Sequence, residues 1–71
     1  MKPDDWIARF ADAIGAEPPD AATVNELLRL AAVAAHASER TAAPIACYLA
    51  GLSGRPIAEL KDLADDISAD D

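Results

Sequence analysis

One short segment of the chain, residues 36–41, brings together polar side chains of several types, including the single histidine. His36 is the single histidine, and Glu39 follows three residues later. At that spacing the two side chains share one face of a helix, where they can ligate a metal or act as an acid–base pair. Because two ligands do not complete a metal site within one chain, the pattern favours a structural role. In that role His36 hydrogen-bonds near a helix end, and Glu39 pairs with Arg40 or Arg29.

Arg40 stands directly before a predicted helix start. Thr41 is a good N-cap residue, and the N–H groups that follow it, together with the guanidinium, can hold a phosphate or a carboxylate. An ordinary cap with a salt bridge explains the same pattern, since every helix start has free donors. No catalytic residue, metal ligand or cofactor is assigned. The candidate ligand-binding residues are His36, Glu39, Arg40, Thr41, Ala42 and Ala43.

The other chemically distinctive side chains favour structural roles. Cys47 is the single cysteine, so it forms no intramolecular disulfide, and a small buried filler is expected there rather than a nucleophile. Of the three aromatic residues, Trp6, Phe10 and Tyr48, at least two are expected in the core.

A cluster of acidic residues lies towards the end of the sequence, and we expect it to form a solvated face. Its members are Asp62, Asp65, Asp66, Asp70 and Asp71.

These side chains must be positioned by helices, because apolar residues recur at helical spacing and no stretch shows the alternation of a strand. The pattern predicts an all-α fold, a compact bundle of four short helices in a single domain over residues 1–71. The helices are expected at about residues 4–14, 22–39, 42–51 and 56–67, followed by an acidic, frayed segment at 68–71.

Several residues signal where the helices begin and end. Gly15 is a natural stop for the first helix, and Gly51 or Gly54 ends the third. Two starts compete for the second helix, because Asp20 can cap it early, whereas Thr23 with Glu26 forms a capping box. This second helix is apolar nearly all round, which is typical of a central helix.

Composition limits the function further. The chain has 71 residues and a formal net charge of -7, which disfavours binding to nucleic acids or to anionic membrane surfaces. No uncharged run is long enough to span a membrane, and no export signal is evident, so a cytoplasmic location is expected.

Alanine supplies 18 of the 37 hydrophobic residues. Since alanine fills cores poorly, a domain this small is expected to gain stability from self-association or from a partner.

Several segments together resemble a known family. They are Asp5-Trp6, Leu27 to Ala31, Ala35-His36, Glu39-Arg40, Ala42 to Pro44 and Tyr48 to Leu52. The chain is similar to a small helical domain of unknown function found in bacterial proteins linked to molybdopterin-guanine dinucleotide biosynthesis. Thr41 departs from the family pattern, which has proline there, although threonine still suits a helix cap.

The resemblance implies an accessory role near molybdenum-cofactor assembly or near an enzyme that uses the cofactor. The Gly-rich nucleotide loop of a nucleotidyltransferase is missing, so no catalytic residue is carried over. The expected function is therefore that of a non-catalytic interaction domain, acting as a homodimer or by docking on a protein partner through a surface that includes residues 36–44. The alternative is a binder of a small anionic molecule, such as a pterin or a nucleotide phosphate, through Arg40 and the start of the third helix.

Overall fold

The computed structural model describes residues 1–69, and these residues form an all-α fold with four helices, as predicted. The helices are α1 (Pro3–Ile14), α2 (Ala21–Ala37), α3 (Ala42–Ser53) and α4 (Ile57–Ala69). No helix within the described range is both long and apolar enough to cross a membrane.

Local signals in the sequence account for most helix ends. The Thr23 N–H donates to Asp20 Oδ1 at 2.8 Å, so Asp20 caps α2 and the helix begins before the competing capping box. This hydrogen bond lowers the pKa of the Asp20 carboxyl because the backbone N–H stabilises the carboxylate. Gly15 and Gly54 close α1 and α3 with φ angles of 74° and 67°, which glycine adopts without strain.

Three helices, α2, α3 and α4, end about two residues away from their predicted ends. α2 ends at Ala37 rather than near residue 39, because Ser38 has left the helical conformation. α3 continues past Gly51, since a glycine inside a helix weakens it without ending it, and the left-handed Gly54 provides the stop instead.

The expectation of a frayed segment from residue 68 is wrong for its first two residues. α4 extends to Ala69, and the Ser68 hydroxyl donates to the Ala64 carbonyl at 2.8 Å, a bond made within the helix. Asp70 and Asp71, which belong to the same prediction and to the acidic cluster, lie outside the described residues.

α2 is the central helix, because both α3 and α4 pack against it. The contact is centred on Leu30 of α2, whose exposed fraction is 4%, with Ala50 of α3 also buried. α1 makes no comparably extensive contact with any other helix in residues 1–69. Ala11 is its buried residue, and the Ala11 carbonyl accepts a hydrogen bond from the Ala16 N–H where the chain turns back.

The aromatic side chains are not in the core, so that prediction is wrong. Trp6, Phe10 and Tyr48 are 56%, 50% and 65% exposed. In α1 the smaller residues Ile7 and Ala11 turn inward, and the bulky stripe faces solvent. The physical reason is that α1 lies against too little of the fold to cover large rings.

Leu30→Ala tests the importance of the central contact. The change removes most of a buried leucine side chain, which costs about 2 to 5 kcal/mol in protein cores. Because so small a domain has a stability of only about 3 to 5 kcal/mol, we expect the variant to be largely unfolded at 25 °C by circular dichroism.

The matched control is Leu28→Ala on the same helix, where the side chain is 63% exposed. This control variant should differ in stability from the wild type by about 0.5 kcal/mol or less. Equal effects at the two positions would contradict the assignment of the core.

Candidate functional site

The junction between α2 and α3 keeps the predicted ligand-binding residues at the surface. His36 lies exposed in the last turn of α2, and Glu39, Arg40 and Thr41 are exposed in the connection that follows. Ala42 and Ala43 are half-buried in the first turn of α3. The six residues are therefore near one another in the chain but do not enclose a site, and their role in binding stays a prediction.

At this junction, the backbone N–H groups that could bind an anion already donate hydrogen bonds to carbonyl groups of the chain. The Ala42 N–H donates to the Glu39 carbonyl at 2.9 Å, and the Ala43 N–H donates to the Arg40 carbonyl at 3.1 Å. Thr41 occupies the N-cap position, but its side chain accepts no capping hydrogen bond. An anion bound to these two amides would have to displace both internal hydrogen bonds, and its affinity would fall by their cost.

The charged side chains of the junction form no ion pairs with each other. Within residues 1–69 the ion pairs are Arg55 with Glu59 and Lys61 with Asp65, so the expected partnership of Glu39 with Arg40 or Arg29 is not formed. The same described range contains no cluster of three potential metal-ligating side chains.

Cys47 occupies a structural position, as its isolation in the sequence suggested. Its side chain is half-buried on α3, and the thiol lies 4.0 Å from the Leu27 carbonyl of α2, to which it is oriented as a weak donor. Burial raises the pKa of the Cys47 thiol above its ordinary value. A thiol with a raised pKa supplies less thiolate at neutral pH, which opposes a nucleophilic role.

The most distinctive surface of the molecule lies on α3 and continues onto α4. Ile45, Tyr48, Leu49 and Leu52 recur at the spacing of one helical face and are 57 to 66% exposed. Across from them, Leu63 and Ile67 of α4 are also exposed. We call these residues the α3–α4 face: Ile45, Tyr48, Leu49, Leu52, Leu63 and Ile67.

A groove runs through this face. It has a volume of about 320 Å³ and lies between α3 and α4, with Leu30 of α2 among its lining residues. Leu49 of α3 and Leu63 and Ile67 of α4 belong both to the groove lining and to the α3–α4 face. The apolar surface is therefore continuous from the outer side of α3 into the groove.

Charge is distributed unevenly around this surface. α3 contains no Asp, Glu, Lys or Arg, whereas each of the other three helices carries at least two charged residues. On α4, Glu59 and Asp66 lie one helical turn on either side of Leu63 and place acidic groups beside the face. The arrangement is an uncharged centre with charged groups at its border, where Glu59 is paired with Arg55.

The exposure of this face was not predicted from the sequence. Ile45, Tyr48, Leu49 and Leu52 form an apolar set on the predicted third helix, and such a set is normally turned towards the core. In the fold the smaller residues Ala43, Ala46, Cys47 and Ala50 face α2 instead. The signal that could have revealed the exposure is the absence of charge from the whole helix, which leaves no polar face to present to water.

A second apolar patch lies on α1. The rings of Trp6 and Phe10 are stacked, with centroids 5.1 Å apart and an interplanar angle of 15°. They border a shallow cavity with Met1 and Arg9. This patch differs from the α3–α4 face because the same helix carries Asp4, Asp5 and Asp12.

Comparison with other proteins identifies a family without naming an activity. No curated protein and no solved structure matches the chain. The model of one protein family matches residues 1–69, and its description is "Domain of unknown function (DUF6457)". Because that match covers nearly the whole chain, the protein belongs to the DUF6457 family.

Proposed function

We propose that this protein is an interaction module whose α3–α4 face is covered by protein in its working state. The observation that carries the proposal is the scarcity of buried residues. In the described range the buried residues are Ala11, Leu30 and Ala50, while eleven large apolar side chains are exposed. Isolated apolar residues are normal on protein surfaces, but a contiguous apolar face marks a site of interaction.

The total surface area supports the same proposal. The chain has a solvent-accessible area of 5487 Å², whereas a folded monomer of 7.4 kDa is expected to expose about 4,200 Å². The excess of about 1,300 Å² exceeds the roughly 800 Å² that each partner buries in a standard interface. One interface of ordinary size would therefore bring the chain to a normal degree of burial.

The chemistry of the face favours a protein as its occupant. Tyr48 combines a broad ring with a hydroxyl, and leucine and isoleucine surround it. Interface centres are depleted in charge and enriched in aromatic residues, with polar groups at the rim. The uncharged α3 with Glu59 and Asp66 at its border follows that arrangement.

We further propose, on the resemblance described above, that the module acts near molybdenum-cofactor assembly. The supporting feature is the segment from Ala35 to Pro44, which also forms the junction between α2 and α3. Deletion of the gene should cause loss of activity in enzymes that use molybdopterin-guanine dinucleotide, and expression of the intact chain should restore that activity. Unchanged activity of those enzymes would overturn this link and leave the interaction module itself untouched.

Photo-crosslinking in living cells tests the interaction module. A photoreactive amino acid at Tyr48, on the outer side of α3 within the α3–α4 face, should give a covalent protein adduct after irradiation, because that side chain would lie against a partner. Adducts are detected by a shift in mass on denaturing gels and are identified by mass spectrometry.

The matched control places the same photoreactive residue at Asn25, which is exposed on α2. We expect adducts from position 48 and none from position 25. Equal labelling from the two positions, or no adduct from position 48, would contradict the proposal.

A further inference from the structure

We propose that the occupant of the α3–α4 face is a second copy of this chain, with α3 packed against α3 of the other copy across a twofold axis. The inference rests on the proposed function and specifies its partner. Three observations support it: the charge distribution, the presence of a ridge beside a groove on the face, and the area available for burial.

The charge distribution leaves α3 as the helix suited to self-association. Each chain has a formal net charge of -7, so two copies repel each other unless the contact avoids charged groups. At a twofold axis a residue meets its own equivalent, and a charged residue there meets a like charge. Among the four described helices, α3 is the one without a charged residue. The acidic residues Glu59 and Asp66 remain at the border, where water screens them.

The face has both a ridge and a groove, which are the two features that an isologous ridge-in-groove contact needs. The outer side of α3 presents a ridge formed by Ile45, Tyr48 and Leu52, which spans about two helical turns. Beside it lies the groove between α3 and α4, bordered by Leu49 and Leu63. Under twofold symmetry the ridge of each copy can enter the groove of the other, which satisfies the condition for an isologous interface.

The excess exposed area of one copy is large enough for a dimer interface. Each copy exposes about 1,300 Å² more than a monomer of its mass should. A standard interface of about 800 Å² per copy fits within that excess, and homodimer interfaces are more apolar than average. The α3–α4 face supplies six large apolar side chains for this purpose.

Sedimentation of the full chain and of two matched variants tests the inference. Between about 1 and about 100 micromolar, the wild type should sediment at twice its mass of 7.4 kDa. Leu52→Glu, at a side chain that is 66% exposed, should keep its helical circular dichroism. Each copy would then place a carboxylate against the apolar groove of the other, so the dimer dissociation constant should rise by about 100-fold or more.

The control variant is Leu28→Glu, which makes the same change at a leucine of α2 that is 63% exposed. It should leave the dimer intact, because it lies outside the α3–α4 face. If Leu52→Glu proves unfolded, Tyr48→Arg provides a second substitution on the same ridge, with the same expected dissociation.

The outcomes separate this inference from the proposed function. A wild type that is monomeric at every concentration, but forms an adduct with a different protein from position 48, overturns the homodimer and retains the interaction module. A monomer that gives no adduct overturns both. A dimer that dissociates with Leu28→Glu but not with Leu52→Glu overturns the choice of α3.

Discussion

The packing of Leu30 against α3 and α4 is the contact on which the fold depends. Leu30 is the one large side chain of the described residues that is buried, and it lies where α2, α3 and α4 meet. The rest of the packing uses alanine, Cys47 and larger side chains that stay half-buried, among them Leu27, Val33, Ile57 and Leu60. Small side chains let helices approach closely but remove little apolar area from water, so the free energy from burial is small. The arrangement of the helices and the exposure of the large side chains follow from this single constraint.

The same constraint connects the fold to the proposed function. Because alanines occupy the inward side of α3, its leucine, isoleucine and tyrosine side chains are left on the outward side. Because α3 has no charged residues, rotating it about its axis would not bring a charged face to the surface in place of these side chains. The exposed apolar surface is therefore built into the sequence of α3 and is not an accident of one side-chain position, which is why we assign it to a partner.

The sequence predicted the helices well because their ends depend on local chemistry. Asp20 as a cap and Gly15 and Gly54 as left-handed stops act within a few residues, so their signals survive without knowledge of the fold. The choice between Asp20 and the capping box at Thr23 could not be made from local pattern alone, since each offers side-chain acceptors for the free N–H groups of its own helix start. α4 reaches Ala69, and within it Ser68 donates to the Ala64 carbonyl, a contact that composition did not indicate.

Which face of each helix turns inward could not be predicted, because that choice depends on the neighbouring helices. On α1 the pair Ile7 and Ala11 faces inward in preference to Trp6 and Phe10, and on α3 the alanines face inward in preference to the leucines. The spacing of apolar residues shows which side chains share one face of a helix, but it does not show which neighbouring helix covers that face. The sequence placed the candidate site at the polar junction of His36 and Arg40, whereas the structure draws attention to an apolar face that the sequence did not single out.

The most direct test of the central claim, that this chain is completed by covering its apolar face with a second copy, is urea unfolding over a hundredfold range of protein concentration. If folding and association are coupled, the midpoint should rise with concentration, by the equivalent of about 2.8 kcal/mol per mole of dimer over that range. A midpoint that stays the same across the whole range, in a chain that is stably folded at the lowest concentration, would contradict the account.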